Sequence, residues 1–163
     1  MNWYKRSQSN FAYHSTSANN VEAVLSQGLK INQPWGKSEG AKAIIEDIYG
    51  LKPIFISFFP DYLKKGSDVT FIIDVSGLPL VADAPSIYDN GAFYGEQGMW
   101  FEGNEPSELK DVIDKYGEIF YKDMLSPEHP VCQACIRLTN TAAIMQNIEP
   151  ERISLQPATQ STQ

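Results

Sequence analysis

The strongest constraint in this chain is a change of hydrophobic period at Pro53. Before it, apolar residues recur at helical spacing: Val21, Val24, Leu25 and Leu29 in one segment, then Ala41, Ile44, Ile45, Ile48 and Tyr49 in the next. After it, Ile54-Phe55-Ile56-Ser57-Phe58-Phe59 is an unbroken β-prone run of the kind a buried strand gives, closed by Pro60, and Val69 to Val75 repeats the pattern. Helices first and strands after them predict an α+β fold on a mixed or antiparallel sheet, with helices in the N-terminal third and one more between late strands.

The punctuation of the chain refines this. Phe11 to His14 reads as a short aromatic strand that breaks into Ser15-Thr16-Ser17-Ala18-Asn19-Asn20, a cluster of helix-capping side chains, and Gly28 stands where a helix ends in a left-handed residue. Pro34-Trp35-Gly36 marks a loop, and a second helix is predicted from about Ser38 to Tyr49. Leu78 to Ala82 is expected to extend the preceding strand past a bend at Gly77, and Asp83 to Gly95, with Pro85 and Asn90-Gly91, is predicted as a long loop. Met99 to Phe101 is a short strand. Pro106 to about Met124 reads as one helix with Leu109, Val112, Ile113, Tyr116 and Phe120 on one face, although Gly117 is a point of interruption. Val131 to Leu138 and Arg152 to Leu155 are predicted as strands, whereas Thr139 to Met145 is ambiguous.

Composition narrows the class. Of 163 residues 42% are apolar and 20% charged, which suits one domain over residues 11 to 155, with an exposed leader over 1 to 10 and a mobile polar tail over 156 to 163. A net charge of −7 argues against a broad grip on nucleic-acid phosphates. No apolar run reaches membrane-spanning length and the start is polar, so a soluble, cytoplasmic protein is expected, without a membrane partner. Two cysteines, Cys132 and Cys135, are too few for a disulfide framework. With His129 they resemble half of a zinc site, but on a strand they would point to opposite faces, so they are expected to be reduced, with no structural metal.

Several segments together resemble the ADP-ribosyltransferase superfamily, in particular its tRNA 2′-phosphotransferase and DNA-modifying branches. Tyr13-His14-Ser15-Thr16-Ser17, followed by a helix running to Gly28-Leu29, is similar to the first motif, in which a strand ends in His-Gly-Thr or a close variant. Pro53 to Tyr62 resembles the second motif, a buried strand followed by a small residue and a short helix. Phe71 to Asp83 is similar to the strand that comes next in those branches, and Asn147 to Ile153 to their Ile-Pro-Pro-Glu-x-Ile ending.

This resemblance implies a divergent NAD-dependent enzyme that cleaves the nicotinamide glycosidic bond and transfers ADP-ribose to an acceptor, a protein or a nucleic acid. By the same resemblance His14 would bind a ribose hydroxyl of the adenosine part, backbone groups of Ser15 or Thr16 the nicotinamide amide, and Ser57 would hold the second motif's small position. Tyr94, with Tyr88 and Phe93, would stack on nicotinamide from the long loop. The superfamily usually places a catalytic Glu at the start of a late strand. The predicted strand Val131 to Leu138 carries Gln133 and no acid, which leaves Glu96 and Glu102 as substitutes, Glu96 preferred, to face the oxocarbenium-like transition state. Each of these residues also has an ordinary account: a bonded histidine at a strand end, a buried serine, loop aromatics pinned to a core, solvated acids. A binding module without catalysis, acting by protein contact on the same fold, is the alternative, and a 2′-phosphotransferase lacks arginines beyond Arg137 and Arg152 late in the chain.

Overall fold

The computed structural model describes residues 10–33, 39–60, 68–103, 105–116 and 119–157. The predicted loop at Pro34-Trp35-Gly36, most of the leader and tail, the short helix after Pro60 and the interruption at Gly117 lie outside them.

Within them the chain is α+β, and every strand pairing is antiparallel. Strand β1 (Phe11–Ser17) leads through a 3-10 turn to helix α1 (Val21–Gln27), and α2 (Glu39–Tyr49) follows. Strands β2 (Ile54–Ser57) and β3 (Asp68–Asp74) flank β1, because the β-prone runs on either side of Pro60 each find a partner edge there. With β7 (Thr141–Ile144) and β8 (Ile153–Leu155) they make a five-stranded sheet in the order β7-β2-β1-β3-β8. Gly28 closes α1 at φ +81°, and a Cβ there would lie 2.0 Å from the Ile148 carbonyl oxygen, so only glycine lets the chain enter the Leu29↔Ile148 bridge.

Cross-strand neighbours share a face in an antiparallel sheet. The registers therefore put Ala12, Phe71, Ile73, Ile54, Ile56, Ala142, Ile144 and Ile153, all buried, on one face together with His14. The other face carries Ser57, Thr70 and Thr141, also buried, beside Tyr13, Phe55 and Ala143. Tyr49 at the end of α2 packs edge-on against Phe55 on this second face. Its hydroxyl donates to the Ala82 carbonyl (2.6 Å) and accepts from the Ala84 amide (2.9 Å), tying α2 to the start of α3 (Ala84–Asp89).

Four sequence expectations are corrected. Residues 83 to 95 are not a loop but α3 followed by β4 (Ala92–Tyr94). Asp83 caps α3 by accepting from the Ser86 amide and hydroxyl, and Pro85 sits in its first turn. The single helix from Pro106 to Met124 is α4 (Ser107–Tyr116), β6 (Ile119–Phe120) and α5 (Tyr121–Met124), because Ile119 pairs with Met99 of β5 (Gly98–Phe101). Val131 to Leu138 is not a strand but lies in helix α6 (Pro130–Thr139), whose Val131, Cys132, Cys135, Ile136 and Thr139 form one buried face. Leu78 to Ala82 adds no strand to β3; Val81 instead bridges Ala143 on the far edge of the sheet. Helices are thus spread along the chain rather than gathered in its first third, and β4-β5-β6 form a second, three-stranded sheet.

Candidate functional site

The candidate site is built where β1 and β2 part. The ladder between them is made through Tyr13↔Ser57, and the same register carried two residues on would set Ser15 opposite Phe55. The ladder does not extend that far. Instead the Phe55 carbonyl is taken by the side chain of His14, whose Nδ1 lies 2.7 Å from it. A carbonyl only accepts, so Nδ1 carries the proton and, in the neutral ring, Nε2 is left as an acceptor. Burial on the apolar face beside Phe71 holds the His14 pKa below its ordinary 6.5, against the raising effect of the Phe55 carbonyl, so the ring is neutral at pH 7. In the neutral ring Nε2 has the acceptor character that a ligand hydroxyl would need.

The flanking hydroxyls are engaged. Ser15 Oγ and Thr70 Oγ1 lie 2.9 Å apart across the β1–β3 ladder, and Thr16 Oγ1 accepts from Asn20 Nδ2 at 2.9 Å. Strand β1 does not end at His14 as expected but runs to Ser17, paired with β3 throughout. Ser15 and Thr16 point their backbone groups alternately toward β3 and toward the side where β2 has left, so one of the two keeps its backbone donor and acceptor outside the β3 ladder. Ser57 is buried and donates to the Phe59 carbonyl at 2.7 Å, the ordinary role of a serine at a strand end.

The other predicted residues belong to the three-stranded sheet. Tyr94 is half-buried on β4 and stacks on the exposed Tyr88 ring at 4.6 Å between centroids, and burial pushes its phenol pKa up. Phe93 stacks on Trp100 across the β4–β5 pair. Glu96 is exposed at the turn of the β4–β5 hairpin, and Glu102 is exposed just past the other end of β5. Four strand residues lie between them, so at about 3.3 Å per residue their backbones stand roughly 13 Å or more apart, at opposite ends of β5.

Because residues 131 to 138 are helical, Gln133 is not the start of a late strand; it is exposed on α6. The late strand is β7; Asn140, the end of α6, precedes it, and its first residue Thr141 lies opposite Ser57 at the end of β2. Asn140 adopts φ +57°, its Oδ1 is buried with no hydrogen-bond partner, and the Thr141 and Thr139 hydroxyls are bonded to each other at 2.9 Å. Among the described residues, the polar side chains of this corner are Ser57, Thr139, Asn140 and Thr141, none of them an acid. Reading residues 139 to 145 as ambiguous hid it, although Asn after a helical apolar face is a known left-handed helix end.

Cys132 and Cys135 are free and buried one turn apart on α6, not on opposite faces of a strand. Burial pushes the Cys132 thiol up to about 11 and the Cys135 thiol up as well. Among the described residues no group of three His, Cys, Asp or Glu is placed to hold a metal, and no helix is long and apolar enough to cross a membrane. Both late arginines have internal partners: Arg137 Nε donates to Glu108 at 2.7 Å, and Arg152 Nη1 donates to the carbonyls of Asp74 and Ser76. Comparison of the chain with family models, with curated proteins and with solved structures found no match.

Proposed function

We propose that the protein binds NAD at the parting of β1 and β2 and acts as an ADP-ribosyltransferase-like enzyme, moving ADP-ribose to a macromolecular acceptor. The observation that supports this most is the His14–Phe55 bond. It couples the strand of the first motif to the strand of the second and orients Nε2 to accept from a ribose hydroxyl, while the backbone of Ser15 or Thr16 beyond it has the donor and acceptor a carboxamide needs. Glu96 and Glu102 are the carboxylates available to the oxocarbenium, one or the other, since they stand at opposite ends of β5.

A second reading is favoured by the opening of β7. The place where the resemblance asks for a glutamate has Asn140 and Thr141, and a fold that keeps the His14–Phe55 bond without that charge suits a binding module acting through protein contact. The 2′-phosphotransferase reading draws no support, because Arg137 and Arg152 are both committed to internal acceptors.

Calorimetry with NAD and ADP-ribose, followed by an assay of nicotinamide release, tests the proposal. Binding at millimolar ligand that is weakened in His14→Ala is the expected result; no heat from folded protein refutes the cofactor. If binding is confirmed, Glu96→Gln should lower release about 10²-fold with little change in affinity, as for other lost electrostatic stabilisers, and Glu102→Gln should not. Binding without any release assigns the protein to the second reading.

A further inference from the structure

The turn from α3 into β4 is made by Asn90-Gly91, and no other asparagine in the chain is followed by glycine. That pair has a chemistry of its own. The main-chain nitrogen of the second residue can attack the side-chain carbonyl carbon of the first and close a five-membered imide, and a glycine nitrogen is the least hindered because it carries no Cβ neighbour. The fold nevertheless requires both residues. Gly91 lies at φ +102°, where an L side chain is strained, and Asn90 Nδ2 donates to the Ser86 carbonyl at 2.7 Å, which an aspartate could not do.

In the native chain both reacting groups are held. The attacking Gly91 N–H donates to the Tyr88 carbonyl at 3.0 Å, and the leaving nitrogen, Nδ2, is bonded to Ser86. Asn90 is also buried. Its ψ of 15° turns the Gly91 nitrogen away from the side chain, and ring closure needs a rotation of more than a right angle about that bond. Such a rotation breaks the Gly91–Tyr88 bond and moves β4, which starts at the next residue, so the reaction waits on an opening of α3. A helix of six residues is marginal by itself and depends on its packing and caps.

We propose that Asn90 is a self-modifying site: when α3 opens, the Gly91 nitrogen displaces the side-chain nitrogen of Asn90, and the product prevents α3 from closing again. The N–Cγ bond forms as the Cγ–Nδ2 bond breaks, the proton of the Gly91 nitrogen leaves with Nδ2 as ammonia, and water then opens the imide at one of its two carbonyls to give aspartate or isoaspartate. Either product carries a carboxylate where the amide stood. It cannot donate to the Ser86 carbonyl, and it brings charge to a place where the native Oδ1 is already enclosed without a donor. In isoaspartate the main chain also gains one carbon, so the Gly91–Tyr88 bond and the β4–β5 pairing cannot both be kept. The effect reaches α2, because the Tyr49 hydroxyl holds the first amide of α3. Modification at residue 90 is thus a one-way record that this junction has opened.

Peptide mapping by mass spectrometry of protein aged in mild alkali, native or in urea, tests this. In urea residue 90 should convert ahead of every other asparagine. In the native fold it should convert at least about 30-fold more slowly, which corresponds to an opening free energy of ~2 kcal/mol or more. Asp83→Ala removes the cap of α3 and should speed native conversion about fivefold while leaving the rate in urea unchanged. The aged wild-type protein, separated by its added negative charge, should exchange the amide hydrogens of Ile87, Asn90 and Gly91 about tenfold faster than fresh protein, since all three are bonded within α3 and its end. Equal rates in native protein and in urea overturn the protection, and earlier conversion of another asparagine in urea overturns the site. Unchanged exchange in the aged form overturns the lock. These three readings use the wild-type chain alone, so they stand if Asp83→Ala fails to fold, and none involves NAD.

Discussion

Tyr49→Phe isolates one oxygen atom. In the native chain that oxygen donates to the Ala82 carbonyl at 2.6 Å and accepts from the Ala84 amide at 2.9 Å, and the residue is 5% exposed. Removing it keeps the ring and its edge contact with Phe55 but strips a buried carbonyl and a buried N–H of their partner at once. Each group left unsatisfied costs about 1–3 kcal/mol, so a loss of roughly 2–6 kcal/mol is expected, with no shape change to blur it. For a domain of this size about 1 kcal/mol moves Tm by 2–4 °C, so Tm should fall on the order of 10 °C. Urea denaturation followed by circular dichroism measures the loss directly, and the slope m should not change, because the surface exposed on unfolding is the same. Tyr88→Phe is the control. Its ring is 47% exposed, and its change should stay within about 0.5 kcal/mol. A loss below about 1 kcal/mol for Tyr49→Phe would refute the claim that this hydroxyl is what ties α2 to α3.

Three further expectations follow from the same structure. His14 has a folded pKa below 6.5, so the unfolded chain binds its proton first as pH falls. Its contribution to stability is therefore present above pH 6.5 and is lost as pH drops toward the folded value, by at most about 1.4 kcal/mol per pH unit. Urea midpoints measured from pH 7.5 to pH 5 should fall less steeply in His14→Gln, and equal slopes would sink this assignment. In Gly98→Ala the new Cβ would stand 2.0 Å from the Ile119 carbonyl oxygen, so the β5–β6 pair must shift and roughly 3 kcal/mol of stability should be lost; Gly103→Ala, with open space around it, should lose only the ~1 kcal/mol of its positive φ. Cys132 and Cys135, buried and with thiols pushed up, should react with a thiol reagent only as fast as the protein opens and both titrate at once in denaturant. Rapid labelling of either in the native protein would contradict their placement in the core.

The sequence alone determined the elements whose pattern is local and long enough to be unambiguous. The helical spacing of Val21, Val24 and Leu25, the run at Ile54 and the run at Val69 each specify their own backbone state, because period and propensity agree there. Sequence punctuation alone did not decide α6. Val131 to Leu138 is β-prone and short, and its apolar residues fit either period; its caps, His129 accepting from the Val131 amide, Pro130 in the first turn and a left-handed Asn140 at the end, favour a helix, and burying one face of it against α4 and α5 settles the choice. The same holds for residues 106 to 124, where a helical apolar face is overruled because Ile119 gains a strand partner in Met99. Of the site, His14 and Ser57 were legible as polar residues in β-prone segments. The Phe55 carbonyl that orients His14 and the acid-free opening of β7 were not, since each depends on which distant segment the chain brings alongside, and no local pattern encodes that neighbour.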